Sequence, residues 1–232
     1  MEEKKIAIVT GASGNLGQAV VKKLLAEGCN VIGTVIPNDK VPVNFNHSNF
    51  EKATVNLADE QNSQQFIESV INKYGSIDVA VLTVGGFAMG NIAETKTEDI
   101  LKQYKLNFET AYNAARPVFM QMMKQGRGRI FMIGSKPGLD ARNGKGMIAY
   151  SLAKSLLFRL AELMNDEAKG SDVVTNVVIP STIDTPQNRE SMPDANFDKW
   201  VKPEAIADVI WFYCTNMASI VREPLIKVYG KS

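Results

Sequence analysis

Ile6-Ala7-Ile8-Val9-Thr10-Gly11-Ala12-Ser13-Gly14-Asn15-Leu16-Gly17 is the stretch from which the rest of the chain can be read. Its first four residues are apolar without alternation, which predicts a strand covered on both faces, as in a parallel sheet. Beyond the glycines, Leu16, Ala19, Val20, Lys23 and Leu24 recur at helical spacing until Gly28 supplies a stop. Asn30 to Ile36 then reads as a second strand, closing a βαβ unit. A glycine-rich turn between a buried strand and a helix leaves backbone N–H groups at the helix N-terminus, a ready seat for a pyrophosphate. Gly11-x-x-Gly14-x-x-Gly17 alone joins strands to helices in many proteins. Its place inside a βαβ unit favours dinucleotide binding over a purely structural turn.

Working outward, the alternation repeats. Residues 37 to 51 carry two prolines and four asparagines with no helical period and read as loop. His47, the single histidine, lies there without a partner acid or thiol and reads as a surface residue. Lys52 to Leu57 predicts a third strand, and Ala58-Asp59 opens a helix to Tyr74, stopped by Gly75. Ile77 to Val84 reads as a buried strand ending in Gly85-Gly86, where a ligand can approach the backbone. Thr95-Lys96-Thr97-Glu98 has the form of a capping box for a helix over 97–124. A strand from Arg129 to Ile133, a helix over 149–165 and a strand from Val173 to Pro180 follow. Segment 181–200, with Pro186 and Pro193, reads as a lid with short helical pieces. A helix from Pro203 to about Asn216 and a strand from Leu225 to Tyr229 close the chain. The whole, 1–232, is expected to be one domain: an α/β, Rossmann-like doubly wound parallel sheet of about seven strands with helices on both faces.

Composition excludes several classes. Hydrophobic residues make up 45%, charged ones 22%, and the net charge is +1, with no basic cluster beyond Lys4-Lys5 or Lys22-Lys23. Nucleic acid is therefore not an expected partner. The lead Met1-Glu2-Glu3-Lys4-Lys5 runs into an apolar segment too brief for a signal or membrane span. Cys29 and Cys214 stand alone, without metal-ligand spacing, and read as core thiols of a cytoplasmic protein. No metal and no membrane are expected.

Chemistry concentrates in Ile133-Gly134-Ser135 and Gly146 to Lys154. On a helix, Tyr150 and Lys154 are spaced i, i+4 and share a face. An ammonium near a phenol favours phenolate, easing proton transfer from an unperturbed pKa of about 10. Tyr-x-x-x-Lys is common by chance, and an amphipathic helix explains it equally well. Ser135 at the preceding strand end makes it specific: a hydroxyl there can hold a substrate carbonyl while the phenol supplies the proton and a nicotinamide supplies hydride.

Taken together, the Thr10–Gly17 turn, Gly85-Gly86, Asn107, Ser135, Tyr150/Lys154 and the Pro180 strand end resemble the short-chain dehydrogenase/reductase family over nearly the whole chain. The resemblance implies a catalytic tetrad of Asn107, Ser135, Tyr150 and Lys154. In it Tyr150 is the acid/base and Ser135 polarises the substrate. Lys154 lowers the tyrosine pKa and binds the nicotinamide ribose, and Asn107 anchors a relay water. Spacing alone would also allow Asn107 on a solvated helix face. Implied cofactor contacts are Gly11, Ser13, Asn15, Leu16 and Gly17 in the turn, with Thr34, Asn56 and Leu57 after the second and third strands. Gly85, Tyr150, Lys154, Pro180 and Thr182 complete them. Phe87, Met89, Met147, Met192 and Trp200 are candidate pocket walls, each equally readable as ordinary packing.

Departures from the family pattern bear on cofactor and substrate. Asn15 replaces a frequent glycine, and Leu82-Thr83-Val84-Gly85 lacks a strand-stabilising asparagine. Asn56 stands where an aspartate often meets adenine. No acid ends the second strand, where Thr34, Val35 and Ile36 stand and Lys40 is the nearest base, so the cofactor is NADP(H) or NAD(H) with a lean to NADP(H). Gly134-Ser135-Lys136, Gly146-Met147-Ile148, Thr182 to Pro186, Asn188-Arg189, Ser191-Met192-Pro193 and Trp200 further resemble the dihydropteridine reductase branch. That branch lacks the serine and the helix asparagine that this chain has. The expected function is reduction of a small carbonyl or pterin-like substrate, with quinonoid dihydropterin reduction as the alternative. A non-catalytic dinucleotide-binding regulator is the alternative of another class. The resemblance also implies a homodimer or homotetramer through helices 97–124 and 149–165.

Overall fold

The computed structural model describes residues 4–43 and 45–231, so Met1-Glu2-Glu3 of the N-terminal lead lies outside them. β1 (Ile6–Thr10) pairs in parallel with both β2 (Asn30–Val35) and β4 (Val79–Leu82), and the sheet grows from that double partnership. β3 (Phe50–Thr54), β5 (Arg127–Ile133), β6 (Asp172–Pro180) and β7 (Leu225–Val228) complete an all-parallel sheet in the order β3-β2-β1-β4-β5-β6-β7. The chain winds one way from β1 to β3 and the other way from β4 to β7. The reversal between β1 and β4 opens a crevice at their carboxyl ends.

Both faces are covered, which explains why the strands do not alternate. Ile6 and Ile8 pack with residues of α2 (Glu60–Tyr74), α4 (Thr110–Gln125) and α6 (Ile148–Glu167), whereas Ala7 and Val9 pack with α1 (Asn15–Ala26) and α8 (Pro203–Tyr213). Ala80/Leu82 against Val79/Val81, and Ile130/Met132 against Phe131/Ile133, divide in the same way. Each fully buried Val, Leu, Ile, Phe or Met side chain among them contributes about 1.5–3 kcal/mol.

Several boundaries differ from expectation. β3 begins at Phe50 and ends at Thr54, because its extent is set by pairing with β2 from Val31↔Phe50 to Val35↔Thr54 rather than by its own apolar run. Among the described residues no helix joins β2 to β3. β4 keeps only Val79–Leu82 of the longer apolar segment. The capping box shifts by one residue: Lys96 is the N-cap, and its N–H donates to Asp99 Oδ2 at 3.0 Å. A lysine side chain has no acceptor to return, so only half of the box exists. The 97–124 helix is three pieces: α3 (Thr97–Tyr104), a π-helical turn (Lys105–Glu109), then α4. α8 stops at Tyr213, short of Asn216.

Candidate active site

The glycine turn fits a phosphate by shape and by charge. Gly11 takes a left-handed φ of 64°, and a Cβ on Gly17 would lie 2.1 Å from the Gly11 carbonyl oxygen, so helix and turn approach as only glycine permits. No side chain caps α1 and no acid stands in its first turn, whereas α2 is capped by Asp59, which accepts from Asn62 N–H at 2.9 Å. Gly14 and Asn15 are exposed at that uncapped end. Positive potential is thus left for an anion. Thr83 locks the neighbouring strand end: its Oγ1 donates to Thr10 O at 2.6 Å and its N–H to Thr10 Oγ1 at 3.1 Å. This exchange joins the two strand ends where the family pattern uses an asparagine.

The four candidate catalytic residues converge at the carboxyl ends of β4 and β5. Asn107 sits in the π-turn, fully buried rather than on a solvated face. Its Oδ1 accepts from Gly86 N–H at 3.1 Å, and its Nδ2 donates to Gly86 O at 3.0 Å and Gln103 Oε1 at 2.9 Å. Both amide protons are therefore engaged, and the side chain acts here as a clamp on the end of β4. Lys154, buried on α6, donates from Nζ to Ile133 O at 2.8 Å. Ser135 caps α5 (Lys136–Leu139), accepting from Gly138 N–H at 3.1 Å, and its hydroxyl donates towards the Tyr150 phenol.

Electrostatics departs from the expectation in one respect. Burial raises the Tyr150 pKa above the usual 10, and the Ser135 hydrogen bond opposes it. Lys154 does not offset the burial, because its Nζ lies over the ring, 6.0 Å from the centroid, and is tied to Ile133 O. Burial brings Lys154 itself down to about 8. Tyr150 is thus held protonated at neutral pH, the state a proton donor needs.

Gly85 is the meeting point. A Cβ there would fall 2.7 Å from Asn107 Oδ1 and 3.1 Å from Lys154 Nζ. Asn107 has little freedom to yield, so Gly85→Ala is expected to displace one of the two and lower kcat roughly 10²-fold, with the melting temperature little changed. Steady-state rates beside a thermal melt check this, and unchanged kcat would remove the pair from the site.

The remaining predicted contacts divide. Thr34 and Leu57 turn their side chains inward; Thr34 O accepts from Ala12 N–H at 2.9 Å, fastening the turn to β2. Asn56 is exposed, with Oδ1 accepting from Ala58 N–H at 3.3 Å. Pro180 is buried at the end of β6, and Thr182 O accepts from Val201 N–H at 3.0 Å. Segment 181–200 carries α7 (Pro186–Ser191) and a 3₁₀ turn (Phe197–Lys199). It reaches the phosphate turn through Asn15 Nδ2, which donates to Gln187 Oε1 at 2.8 Å. Trp200 packs on Phe197 at a tilt of 57°, centroids 4.8 Å apart. Phe87, 60% exposed, meets Tyr150 edge-on at 5.1 Å, and Gly90–Met147 pairing ties its loop to α6. His47 is exposed, its Nδ1 accepting from Asn49 N–H at 3.1 Å.

Sequence reasoning missed three supports: Gln103, Ile133 O and Asp39. Gln103 was visible as the i−4 neighbour of Asn107. Asp39, whose Oδ2 accepts from Ser13 Oγ at 2.6 Å, gave no signal beyond the Pro37-Asn38 turn before it. Among the described residues no group of three or more His, Cys, Asp or Glu could hold a metal, and no helix is long and apolar enough to cross a membrane.

Comparison with known proteins agrees with this fold. The profile of the short chain dehydrogenase family matches residues 5–196. A 3-oxoacyl-[acyl-carrier-protein] reductase of Thermotoga maritima is 25% identical over 98% of this chain and 97% of its own. A dihydropteridine reductase of Dictyostelium discoideum is 28% identical over 93% and 90%. Among solved structures, ElxO with NADP bound superposes with a TM-score of 0.89 at 23% identity, covering 98% of both chains. The aldohexose dehydrogenase of Thermoplasma acidophilum gives 0.84 at 21%, covering 99% and 94%.

Proposed function

The chain belongs to the short-chain dehydrogenase family and is an NAD(P)-dependent oxidoreductase; from that premise we propose that it reduces a small carbonyl or pterin-like compound, with Tyr150 as proton donor. The observation that carries the proposal is the meeting of Asn107, Lys154 and Gly85 beside a phenol hydrogen-bonded by Ser135. A regulator that only bound a dinucleotide would not need that convergence.

A reduced nicotinamide held there would supply the hydride. Ser135 holds the substrate oxygen, its second hydrogen bond, from Gly138, fixing the hydroxyl's place. Tyr150, protonated at neutral pH, gives its proton to that oxygen as negative charge develops, leaving an alcohol. Lys154, held by Ile133 O on the same helix face as Tyr150, would meet the nicotinamide ribose, and Asn107 holds the β4 end against it. Contacts with Gly11, Ser13, Asn15, Leu16 and Gly17, with Asn56, and with Pro180 and Thr182 belong to the same proposal, as does closure of 181–200. Phe87 presents an apolar wall beside Tyr150 that suits a flat or unbranched substrate, and Met89 is exposed on the same loop.

Quinonoid dihydropterin is the second reading, favoured by the Dictyostelium relative and by Ser191-Met192-Pro193 in the lid. Purified protein assayed with NADH and NADPH against a 3-oxoacyl thioester, a diketone and a quinonoid dihydropterin separates the two. Turnover of the first pair alone supports the carbonyl reading, turnover of the pterin alone the second, and consumption of no reduced nucleotide would sink both.

Two coarser expectations join the proposal. Leu101, Met120, Leu152, Leu156 and Leu163 are exposed on α3, α4 and α6, the helices through which a homodimer or homotetramer would form. Cys29 and Cys214 are buried free thiols, which suits a reducing cytoplasm.

A further inference from the structure

Asp39 reaches the phosphate turn by a route that strand-end reading does not anticipate. β2 ends at Val35 with no acid, and the chain passes Ile36-Pro37 and turns at Asn38, whose φ is 62°. The Asp39 N–H returns to Ile36 O at 3.1 Å. That turn folds the carboxylate back onto the glycine turn. Its Oδ2 accepts from Ser13 Oγ at 2.6 Å and its Oδ1 from Val41 N–H at 2.9 Å. Ser13 lies between Ala12, bonded to the β2 carbonyl of Thr34, and Gly14, the N-cap of α1. The acid is therefore fixed where the β2 end and the phosphate seat adjoin, which is where the adenosine ribose lies in a dinucleotide-binding βαβ unit.

We propose that Asp39 selects the cofactor: its carboxylate accepts a hydrogen bond from an adenosine ribose hydroxyl of NAD(H) and repels the 2'-phosphate of NADP(H). The proposal rests on the dinucleotide-binding reading above and goes beyond it, reversing the lean to NADP(H) drawn from the absence of an acid at 34–36. Two hydrogen bonds keep the carboxylate below its usual pKa range, so it is charged at neutral pH. Ser13, committed as a donor to Asp39, is not available to donate to a phosphate. Lys52 acts on Asp39 through its charge, and Lys40 adjoins it; both are exposed, and solvent screens them. The carboxylate is the only one of these charges that two bonds anchor.

The test is direct binding, followed by the fluorescence of NADH and NADPH on titration with protein, and needs no substrate. The unsubstituted protein is expected to hold NADH about tenfold or more tightly than NADPH. Asp39→Ser is expected to tighten NADPH by about tenfold and weaken NADH several-fold. Asp39→Asn, which keeps a side chain able to bond Ser13, should recover NADPH binding through loss of charge alone; circular dichroism confirms that each variant is folded. Preference of the parent protein for NADPH, or an unchanged affinity ratio in both folded variants, would overturn the proposal. Binding of neither nucleotide would instead strike the dinucleotide reading itself, and this proposal with it.

Discussion

Tyr150→Phe should lower kcat by about 10²–10⁴-fold while leaving dinucleotide affinity within a few-fold of the parent. The substitution removes one oxygen and keeps the ring, so the edge-on contact with Phe87 and the packing of α6 survive. What disappears is the proposed proton donor, held protonated at neutral pH. Ser135, whose Oγ accepts from Gly138 N–H, carries an alcohol hydroxyl that is a far weaker acid than a phenol. Lys154 donates to Ile133 O, its Nζ over the ring and 6.0 Å from the centroid. Because K_d reports binding and kcat the chemical step, paired measurements distinguish a lost proton donor from a damaged site. If turnover survives, Tyr150 is not the donor and the assignment fails.

Lys154→Met should have a different signature: turnover lost by at least about 10²-fold, cofactor affinity weakened, and stability held or gained. The ammonium is 5% exposed, and its pKa is displaced from 10.5 to about 8, corresponding to roughly 3 kcal/mol against the charged form. A lysine whose folded-state pKa is lowered costs stability in full below pH 8, where both states are protonated. That cost fades as pH rises from about 8 to 10.5, where the folded chain releases its proton before the unfolded one does. Methionine fills similar volume without the charge but strands the Ile133 carbonyl, at about 1–3 kcal/mol. The variant is therefore expected to melt at or a few degrees above the parent at pH 7, with the difference moving in the parent's favour towards pH 10. Scanning fluorimetry across that range checks the sign. Unchanged cofactor affinity would count against a ribose contact.

Fold was more legible in the amino acids than site was. Ile6 to Val9 declared a strand buried on both faces because helices on either side take alternate residues of it. Gly11 and Gly17 declared the turn, since no other residue tolerates their approach. β3 was misjudged because an edge strand takes its extent from its one partner, and Lys52 to Leu57 carries no record of where Val31 and Val35 lie. In the site, spacing placed Tyr150 and Lys154 on one face but could not tell that a backbone carbonyl holds the ammonium over the ring. The direction of the tyrosine's pKa therefore came out reversed. Asp39 was hidden for a related reason: its partner, Ser13, is 26 residues away and met only through a loop.

The π-helical turn at Lys105–Glu109 has a meaning for the length of the chain. Each residue advances an α-helix by about 100°, so removing one residue there would restore an unbroken helical ladder and rotate one flank against the other. α3 and α4 could not then both keep the faces they now pack, and Asn107 would leave Gly86. The more regular helix would be the inactive one. The clamp on β4 is thus written into this protein as a surplus of one position, a form of information that aligning residue types leaves unseen.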